Sequence, residues 1–213
     1  IPNIKKKYSK IFFSWIAFDS SKVKRNYIFF AIKGNNFDGN KFIPTVIKKG
    51  CRIIISEKKI NKRQKGILFI YTKNIRKLLA EVSSKIYKDR PKNLIAVTGT
   101  NGKSSVSDFY YQILKLNKKK VASIGTLGVK SDSFNSDLSN TTTDPIHLGK
   151  ILNKLRKKQV DNVIMEASSH GLKQNRLDGL LFNSGIFTNF SQDHLDYHKN
   201  LGDYLKAKLY LFK

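Results

Sequence analysis

The residues with the clearest chemical pattern run from Thr98 to Ser105 and read Thr-Gly-Thr-Asn-Gly-Lys-Ser-Ser. An apolar stretch precedes them and a helical pattern follows, so the segment is predicted to join a buried strand to a helix. Glycines let consecutive backbone N–H groups surround an anion, and the helix N-terminus adds the positive end of its dipole. Val97 stands where the general phosphate-loop pattern has its first glycine. The segment predicts a nucleoside-triphosphate site, and the alternative is a glycine turn with an incidental lysine.

Three side chains could complete this site. Lys103 can reach the terminal phosphates, and the hydroxyl group of Ser104 can ligate Mg²⁺. Glu166 directly follows a predicted buried strand, and the carboxyl ends of parallel strands open into one crevice. Because Mg²⁺ prefers oxygen ligands, Ser104 and Glu166 together predict a nucleotide-bound magnesium ion.

Histidines and serines nearby allow two other chemistries. His194 and His198 are four residues apart and could share a zinc ion, but no Glu follows the first histidine and Cys51 is remote in sequence. One histidine as a ligand of the magnesium ion is the favoured hypothesis. The run Ser168-Ser169-His170 could belong to a hydrolase, yet no Gly-x-Ser-x-Gly turn surrounds it.

Alternating strand and helix patterns must position these residues. Strands are predicted over residues 27–32, 51–55, 67–71, 94–97, 121–124, 162–165 and 184–188. Helices are predicted within 42–47, over 75–86, 103–116 and 146–155, and at the end of the chain, where an amphipathic helix would include Lys213. This order is typical of an α/β protein with parallel sheets.

A polar segment with Pro91 separates two parts of the chain. We expect a small N-terminal α/β domain over residues 1–88 and a phosphate-loop domain over residues 89–213. Met165 is the only methionine and Lys213 falls inside a helical pattern, so we expect the chain to be a piece of a longer protein whose second domain continues.

The charge of the chain is strongly positive, at +26 from 41 Lys and Arg against 15 Asp and Glu over 213 residues. Most of the excess lies in residues 1–90. A nucleic-acid-binding protein is one interpretation, but Lys far outnumbers Arg, as AT-rich coding would produce. A single cysteine and the lack of a secretory pattern favour the cytoplasm, and no apolar run is long enough to span a membrane. We expect a monomer that binds neither nucleic acid nor membrane.

Four motifs, taken in their order and spacing, carry a family resemblance. They are residues 99–104, residues 166–172 (Glu-Ala-Ser-Ser-His-Gly-Leu), residues 187–189 (Phe-Thr-Asn) and residues 193–198 (Asp-His-Leu-Asp-Tyr-His). Together they resemble the Mur ligases, and among these the ligases that add the third residue of the peptidoglycan peptide. The resemblance implies an N-terminal domain that binds a UDP-sugar, a central ATP-binding domain and a C-terminal ligase domain that lies outside this sequence.

The resemblance also implies roles for individual residues. The ATP phosphates would be held by Gly99, Thr100, Asn101, Gly102, Lys103, Ser104 and Ser105. Magnesium would be held by Ser104, Glu166 and His194. The catalytic residues would be Lys103, Glu166, His194 and a carbamylated Lys208. The UDP-muramoyl part would contact Phe18, Ser20 and Asn35, and its peptide arm would contact Asn140, Thr141, Thr142, Ser168, Gln174 and Arg176.

The implied reaction is ATP-dependent amide synthesis through an acyl phosphate, with ATP and Mg²⁺ as cofactors. Diaminopimelate or lysine would be added to UDP-MurNAc-L-Ala-D-Glu in the cytoplasm. The alternatives are another Mur-type ligase (MurF-like or folylpolyglutamate synthetase-like), an inactive fragment of a ligase, and a basic phosphate-loop protein that binds nucleic acid. The basic N-terminal part would suit an anionic UDP-linked substrate, which is a hypothesis from charge alone.

Overall fold

The computed structural model describes residues 12–34, 37–60 and 64–213. Contacts within the chain form two compact units, residues 1–79 and residues 80–213. In the described part of the chain, no helix combines the length and the apolar character that crossing a membrane requires.

The first unit is built on a four-stranded sheet. Its strands are β1 (Trp15–Ala17), β2 (Tyr27–Phe30), β3 (Ile53–Ser56) and β4 (Leu68–Tyr71), arranged in sequence order. All neighbouring pairs are parallel. Helix α1 (Ile43–Lys48) connects β2 to β3, and the division between the units falls within helix α2 (Ile75–Ile86).

Buried apolar side chains explain why these segments form the sheet. Phe29 and Ile54, on adjacent strands, and Val46 of α1 are fully buried in one cluster. The predicted strands 27–32, 51–55 and 67–71 are confirmed as β2 to β4, and the helix within 42–47 is confirmed as α1. Strand β1 was missed, because three residues are too few to show an alternating pattern.

The second unit contains a five-stranded sheet in the order β7-β6-β8-β5-β9. Its strands are β5 (Asn93–Thr98), β6 (Val121–Gly125), β7 (Gly128–Ser131), β8 (Asn162–Glu166) and β9 (Ser184–Phe187). Its helices after α2 are α3 (Lys103–Leu116), α4 (Pro145–Lys157), α5 (Ser169–Lys173) and α6 (Leu201–Leu209). Every strand pair is parallel except β6 with β7.

The sequence patterns predicted most of this unit. Strands β5, β6, β8 and β9 and helices α3 and α4 are confirmed. The C-terminal helix is present as α6, but it ends at Leu209 and a 3-10 turn follows over Tyr210–Phe212, so the prediction that Lys213 lies inside a helix was wrong. The hairpin partner β7 was missed, although Gly125 and Gly128 flank its two-residue turn and Gly128 has a φ of +83°. Helix α5 was also missed because it has only five residues, with Ser168 capping its first turn.

The sheet order brings the chemical residues together. Strands β5 and β8 are neighbours, and their register pairs Val97 with Glu166. The loop after β5 therefore lies beside the carboxylate at the end of β8. The α/β fold class with parallel sheets is thus confirmed, whereas the domain limits at residues 88 and 89 stay a prediction.

Candidate functional site

The loop between β5 and α3 has a shape that depends on two glycines. Gly99 has a φ of +146° and Gly102 a φ of +84°, which other residues rarely adopt. A side chain on Gly99 would also place its Cβ 1.9 Å from Oγ1 of Thr188. The two glycines thus let the backbone take the compact turn that the sequence predicted.

A cleft of about 270 Å³ opens in front of this loop. The first backbone N–H groups of α3 have no partner within their own helix, and the dipole of the 14-residue helix is positive at this end. The lining residues are Thr100, Asn101, Gly102, Lys103, Ser104, Ser105, Thr126, Thr141, Glu166, Ser168, Ser169, His194 and Lys208. The cleft is therefore suited to an anion, and it contains most of the phosphate-loop and metal residues predicted from the sequence.

Lys103 lies folded over its own loop. Its Nζ donates to the carbonyl oxygens of Gly99 at 2.9 Å and Thr100 at 2.8 Å. Burial lowers the pKa of the Lys103 amine, while Glu166 and Asp193 act in the opposite direction. The amine is thus held at the floor of the cleft, within the loop that would contact phosphates.

Ser104 and Glu166 form the centre of the cleft. The Ser104 hydroxyl group lies 3.0 Å from both carboxylate oxygens of Glu166. Thr126 donates to the same carboxylate through its backbone N–H at 3.1 Å and its hydroxyl group at 3.2 Å. Glu166 is only 3% exposed. A hydroxyl oxygen beside a buried carboxylate is a donor set that fits a hard divalent cation such as Mg²⁺.

Lys208 is a second amine beneath the loop. It is 1% exposed, its Nζ lies 2.5 Å from the carbonyl oxygen of Gly99, and it lies 4.3 Å from the centre of the Tyr204 ring. Burial, helped by the charge of Lys103, lowers the pKa of Lys208 to about 8, while Asp193 opposes the shift. The buried environment therefore shifts the Lys208 amine toward its neutral form, compared with the same amine in water.

The two histidines of the four-residue pair have different surroundings. His194 lines the cleft with 46% of its side chain exposed, and its backbone has a left-handed φ of +52°. His198 is buried, and its Nε2 lies 3.0 Å from the Ser169 hydroxyl group. His194 thus belongs to the cleft and His198 to the contact with Ser169, and within the described ranges no group of three His, Cys, Asp or Glu side chains is placed to hold a metal ion.

The run Ser168-Ser169-His170 does not form a catalytic arrangement with its own histidine. The Ser168 hydroxyl group accepts from the N–H of Gly171 and caps α5. The His170 ring lies 4.0 Å from the Tyr197 ring. Neither contact joins a serine of this run to His170; the serine that does contact a histidine is Ser169, which lies 3.0 Å from Nε2 of His198.

Residues expected around the peptide arm form one network. The Thr142 hydroxyl group donates to the Glu166 carbonyl oxygen and accepts from the Ser168 N–H, both at 2.9 Å. Arg176 donates to the Gln174 side-chain oxygen at 2.9 and 3.2 Å and to the carbonyl oxygen of Thr142. Thr142 thus connects the Glu166 backbone with the Arg176 side chain.

Thr141 and Asn140 precede this network. The Thr141 hydroxyl group lies 3.0 Å from that of Thr126 at the cleft. Asn140 is exposed and contacts Ser139 at 3.2 Å. Thr141 therefore belongs to the cleft, whereas Asn140 is not among its lining residues.

The residues expected to contact the UDP-muramoyl part lie in the first unit. Phe18 and Ser20 are half-buried and follow the carboxyl end of β1. The Ser20 carbonyl oxygen accepts from Lys49 Nζ at 2.7 Å. Asn35 lies outside the described residues. The roles of these three residues stay predictions.

Sequence reasoning missed two groups of residues at this site. Thr126 lies in the turn of the missed hairpin and donates to Glu166 at the end of β8, and no local pattern marks it. Thr188 and Asn189 bind the phosphate loop from the end of β9. They occur in the Phe-Thr-Asn motif of residues 187–189, which carried the family resemblance without a role.

The fold and the loop place the chain among the phosphate-loop α/β proteins. Residues 13–96 match the family description "Mur ligase family, catalytic domain", and residues 97–213 match "Mur ligase middle domain". Because the second match alone covers more than half of the sequence, the chain belongs to the Mur ligase family.

Two relatives are more than twice as long as the part of them that this chain matches. A UDP-N-acetylmuramoyl-L-alanyl-D-glutamate--2,6-diaminopimelate ligase of Rickettsia bellii is 44% identical over 99% of this chain and 44% of its own length. A ligase of the same name from Wigglesworthia glossinidia brevipalpis is 42% identical over 95% of this chain and 45% of its own length. The chain thus spans less than half the length of these relatives.

Solved structures agree with this fold. The structure of a UDP-N-acetylmuramoyl-L-alanyl-D-glutamate--2,6-diaminopimelate ligase matches with a TM-score of 0.80 and 29% identity, over 94% of this chain and 41% of that chain. The MurF ligase from Thermotoga maritima matches with a TM-score of 0.59 and 20% identity, over 93% of this chain and 42% of that chain. The second likeness shows the shared fold alone.

Proposed function

We propose that this chain is the nucleotide- and acceptor-binding part of an ATP-dependent ligase of peptidoglycan precursor synthesis. The observation that carries the proposal is the Ser104 hydroxyl group beside both oxygens of the buried Glu166, at the mouth of the phosphate loop. The names of the relatives at 42–44% identity support UDP-MurNAc-L-Ala-D-Glu as acceptor and 2,6-diaminopimelate as the incoming amine. Such a ligase would work in the cytoplasm, where ATP is available.

The reaction would be the formation of an amide through an acyl phosphate. The terminal carboxylate of the acceptor attacks the γ-phosphorus of ATP and releases ADP, and the amine then displaces phosphate. Neither step needs a nucleophile from the protein, so the work of the site is positioning and neutralisation of charge. Lys103 and the N-terminus of α3 would hold the phosphates.

Ser104, Glu166 and His194 would hold magnesium, which would supply positive charge near the transferred phosphoryl group. Lys208 would be the carbamylated residue. Its burial and its lowered pKa support this role, because carbamylation requires a neutral amine. Thr141, Thr142, Ser168, Gln174 and Arg176 would lie around the peptide arm, in the network described above.

The decisive test is nucleotide binding by the chain and by a Lys103→Ala variant. We expect the affinity for Mg·ATP, measured by isothermal titration calorimetry, to fall by about 10- to 100-fold in the variant, because a charge-assisted contact to phosphate is lost. Lys115→Ala is the matched control, since Lys115 lies on the same helix and pairs with Asp132 at the surface. Unchanged affinity in Lys103→Ala would contradict the assigned site.

A second titration tests the acceptor. We expect UDP-MurNAc-L-Ala-D-Glu to bind the chain and UDP-glucose to bind at least tenfold more weakly, because the peptide-arm residues contact only the former. Equal affinity for the two compounds would contradict the acceptor assignment while leaving the ATP site intact.

A further inference from the structure

The segment that follows β9 forms hydrogen bonds with the phosphate loop. This clamp segment comprises residues 188–191. Its backbone pairs with the loop through Thr188 N–H to the Thr98 carbonyl oxygen at 2.9 Å and Thr100 N–H to the Asn189 carbonyl oxygen at 3.0 Å. The Ser191 N–H also donates to the Thr100 hydroxyl group at 3.0 Å.

Asn189 contacts the loop at one residue through both ends of its carboxamide. Its Oδ1 accepts from the Asn101 N–H at 2.9 Å, and its Nδ2 donates to the Asn101 carbonyl oxygen at 3.2 Å. The Thr188 hydroxyl group donates to the same carbonyl oxygen at 2.6 Å. Both backbone polar groups of Asn101 are thus bound to the clamp segment.

Fixing the Asn101 carbonyl also fixes the next N–H group. In a planar trans peptide, the carbonyl oxygen of one residue and the N–H of the next point in opposite directions. Because the Asn101 carbonyl is directed at Thr188 and Asn189, the Gly102 N–H is directed away from the clamp segment. Gly102 lines the cleft and immediately precedes the first turn of α3.

The exposure of Asn189 indicates that these bonds serve the shape of the loop rather than overall stability. Asn189 is exposed, and exposed side chains usually change the free energy of unfolding only slightly when they are replaced. Its bonds nevertheless act on Asn101, the residue before Gly102. The turn requires the left-handed φ of +84° at Gly102. The effect of replacing Asn189 should therefore appear in anion binding.

We infer that Asn189, with Thr188, is a positioning residue for nucleotide binding: its carboxamide orients the Asn101–Gly102 peptide so that the Gly102 N–H faces the phosphates. This inference rests on the proposed ATP site. Asn189 need not touch the nucleotide itself, because it acts through the loop backbone. His194 and, in α6, Lys208 follow the clamp segment in the sequence. The clamp segment therefore also connects the phosphate loop with these two residues.

The main test compares Asn189→Ala with Asn183→Ala. Asn183 is also exposed and adjoins the opposite end of β9, where its Oδ1 accepts from the Leu94 N–H at 2.8 Å. We expect the dissociation constant for Mg·ATP, measured by calorimetry, to rise about tenfold in Asn189→Ala and to stay within twofold in Asn183→Ala. Thermal unfolding without nucleotide reports any purely structural effect, which should be similar in the two variants.

A conservative pair at Thr188 gives an independent readout. Thr188→Ser keeps the hydroxyl group that binds Asn101, whereas Thr188→Ala removes it without placing a methyl group 2.6 Å from the Asn101 carbonyl oxygen. We expect near-normal affinity for Mg·ATP in Thr188→Ser and about a fivefold loss in Thr188→Ala. Unchanged affinity in Asn189→Ala would overturn this inference alone, as would equal losses in Asn189→Ala and Asn183→Ala. A wild-type chain that binds no Mg·ATP would overturn both the inference and the proposed function.

Discussion

Lys208 is a residue whose burial opposes the stability of the fold. The amine is 1% exposed, and burial lowers its pKa from 10.5 to about 8. Between these pH values, the unfolded chain binds a proton that the folded chain does not bind, so stability falls as the pH falls through this window. Below pH 8 both states are charged, and the full cost of burying the charge is present.

Replacing Lys208 by methionine should therefore stabilise the chain at pH 7. We expect Lys208→Met to raise the free energy of unfolding, since Met fills the space without a charge. Each kcal/mol gained in the free energy of unfolding should raise the Tm by about 2–4 °C. Lys206→Met, on the exposed side of the same helix, is the matched control and should leave the Tm nearly unchanged. Differential scanning calorimetry at pH 7 measures both, and an equal or lower Tm in Lys208→Met would contradict the expectation.

Strands β6 and β8 are neighbours at the cleft, and one glycine leaves room for a side chain of the neighbouring strand. Gly125 ends β6 beside Glu166 at the end of β8. A Cβ on Gly125 would lie 2.1 Å from Oε1 and 2.5 Å from Cδ of Glu166. The position of the carboxylate therefore depends on the absence of a side chain on the neighbouring strand.

We expect Gly125→Ala to displace Glu166 from Ser104 and to reduce the Mg²⁺-dependent part of ATP binding. Titrations with ATP in the presence of Mg²⁺ and in the presence of EDTA separate this part from the contribution of Lys103. Gly34→Ala in the first unit is the control, because the nearest atom to its Cβ would be the carbonyl oxygen of Phe37 at 3.4 Å, an ordinary contact. A normal response to Mg²⁺ in Gly125→Ala would contradict this dependence.

At the scale of secondary-structure elements, the sequence predicted those helices and strands in which apolar side chains recur at a regular spacing. Helix α3 and strand β8 have enough residues to show their periods. Strand β1 has only three residues, and strand β7 and helix α5 each contain a single large apolar side chain. They show no apolar pattern of their own, so their formation depends on partners that are distant in sequence. β7, for example, exists because it pairs with β6.

Over the whole molecule, burial of His198 couples stability to pH. Its Nε2 contacts Ser169, 29 residues away, and burial lowers its pKa from 6.5, helped by the charge of Lys173. Above pH 7 the residue is neutral in both states. As the pH falls below 6.5, the unfolded chain binds the proton first, so stability is lost. The pKa of His170 is also lowered, chiefly by burial, and adds to the same trend.

We expect the Tm to fall between pH 7.5 and 5.5, and to fall less steeply in His198→Gln. Gln keeps a polar group near Ser169 without titrating, although its Tm at pH 7.5 should be lower because packing is lost. His147→Gln, at an exposed position of α4, should keep the slope of the wild-type chain. Identical slopes in His198→Gln and the wild-type chain would show that His198 does not carry the dependence.

The net charge of +26 affects the molecule as a whole but did not decide its fold. Net charge governs solubility and long-range attraction rather than architecture. The family match over residues 13–213 and the local geometry of the cleft, in contrast, both point to a phosphate-binding protein. A basic composition alone would have suggested nucleic acid.

The sequence by itself determined the α/β class, the phosphate loop and the pairing of Ser104 with Glu166, because local spacing and the rule for parallel strand ends suffice to predict them. Only the tertiary structure decided that Asn189 binds the phosphate loop, that Lys208 is buried beneath Gly99, and that His198 contacts Ser169. The contacts of Asn189 and Lys208 join residues 88 and 109 positions apart. Periodicity describes which face of a segment is buried, but it contains no information about which distant backbone group that face will meet.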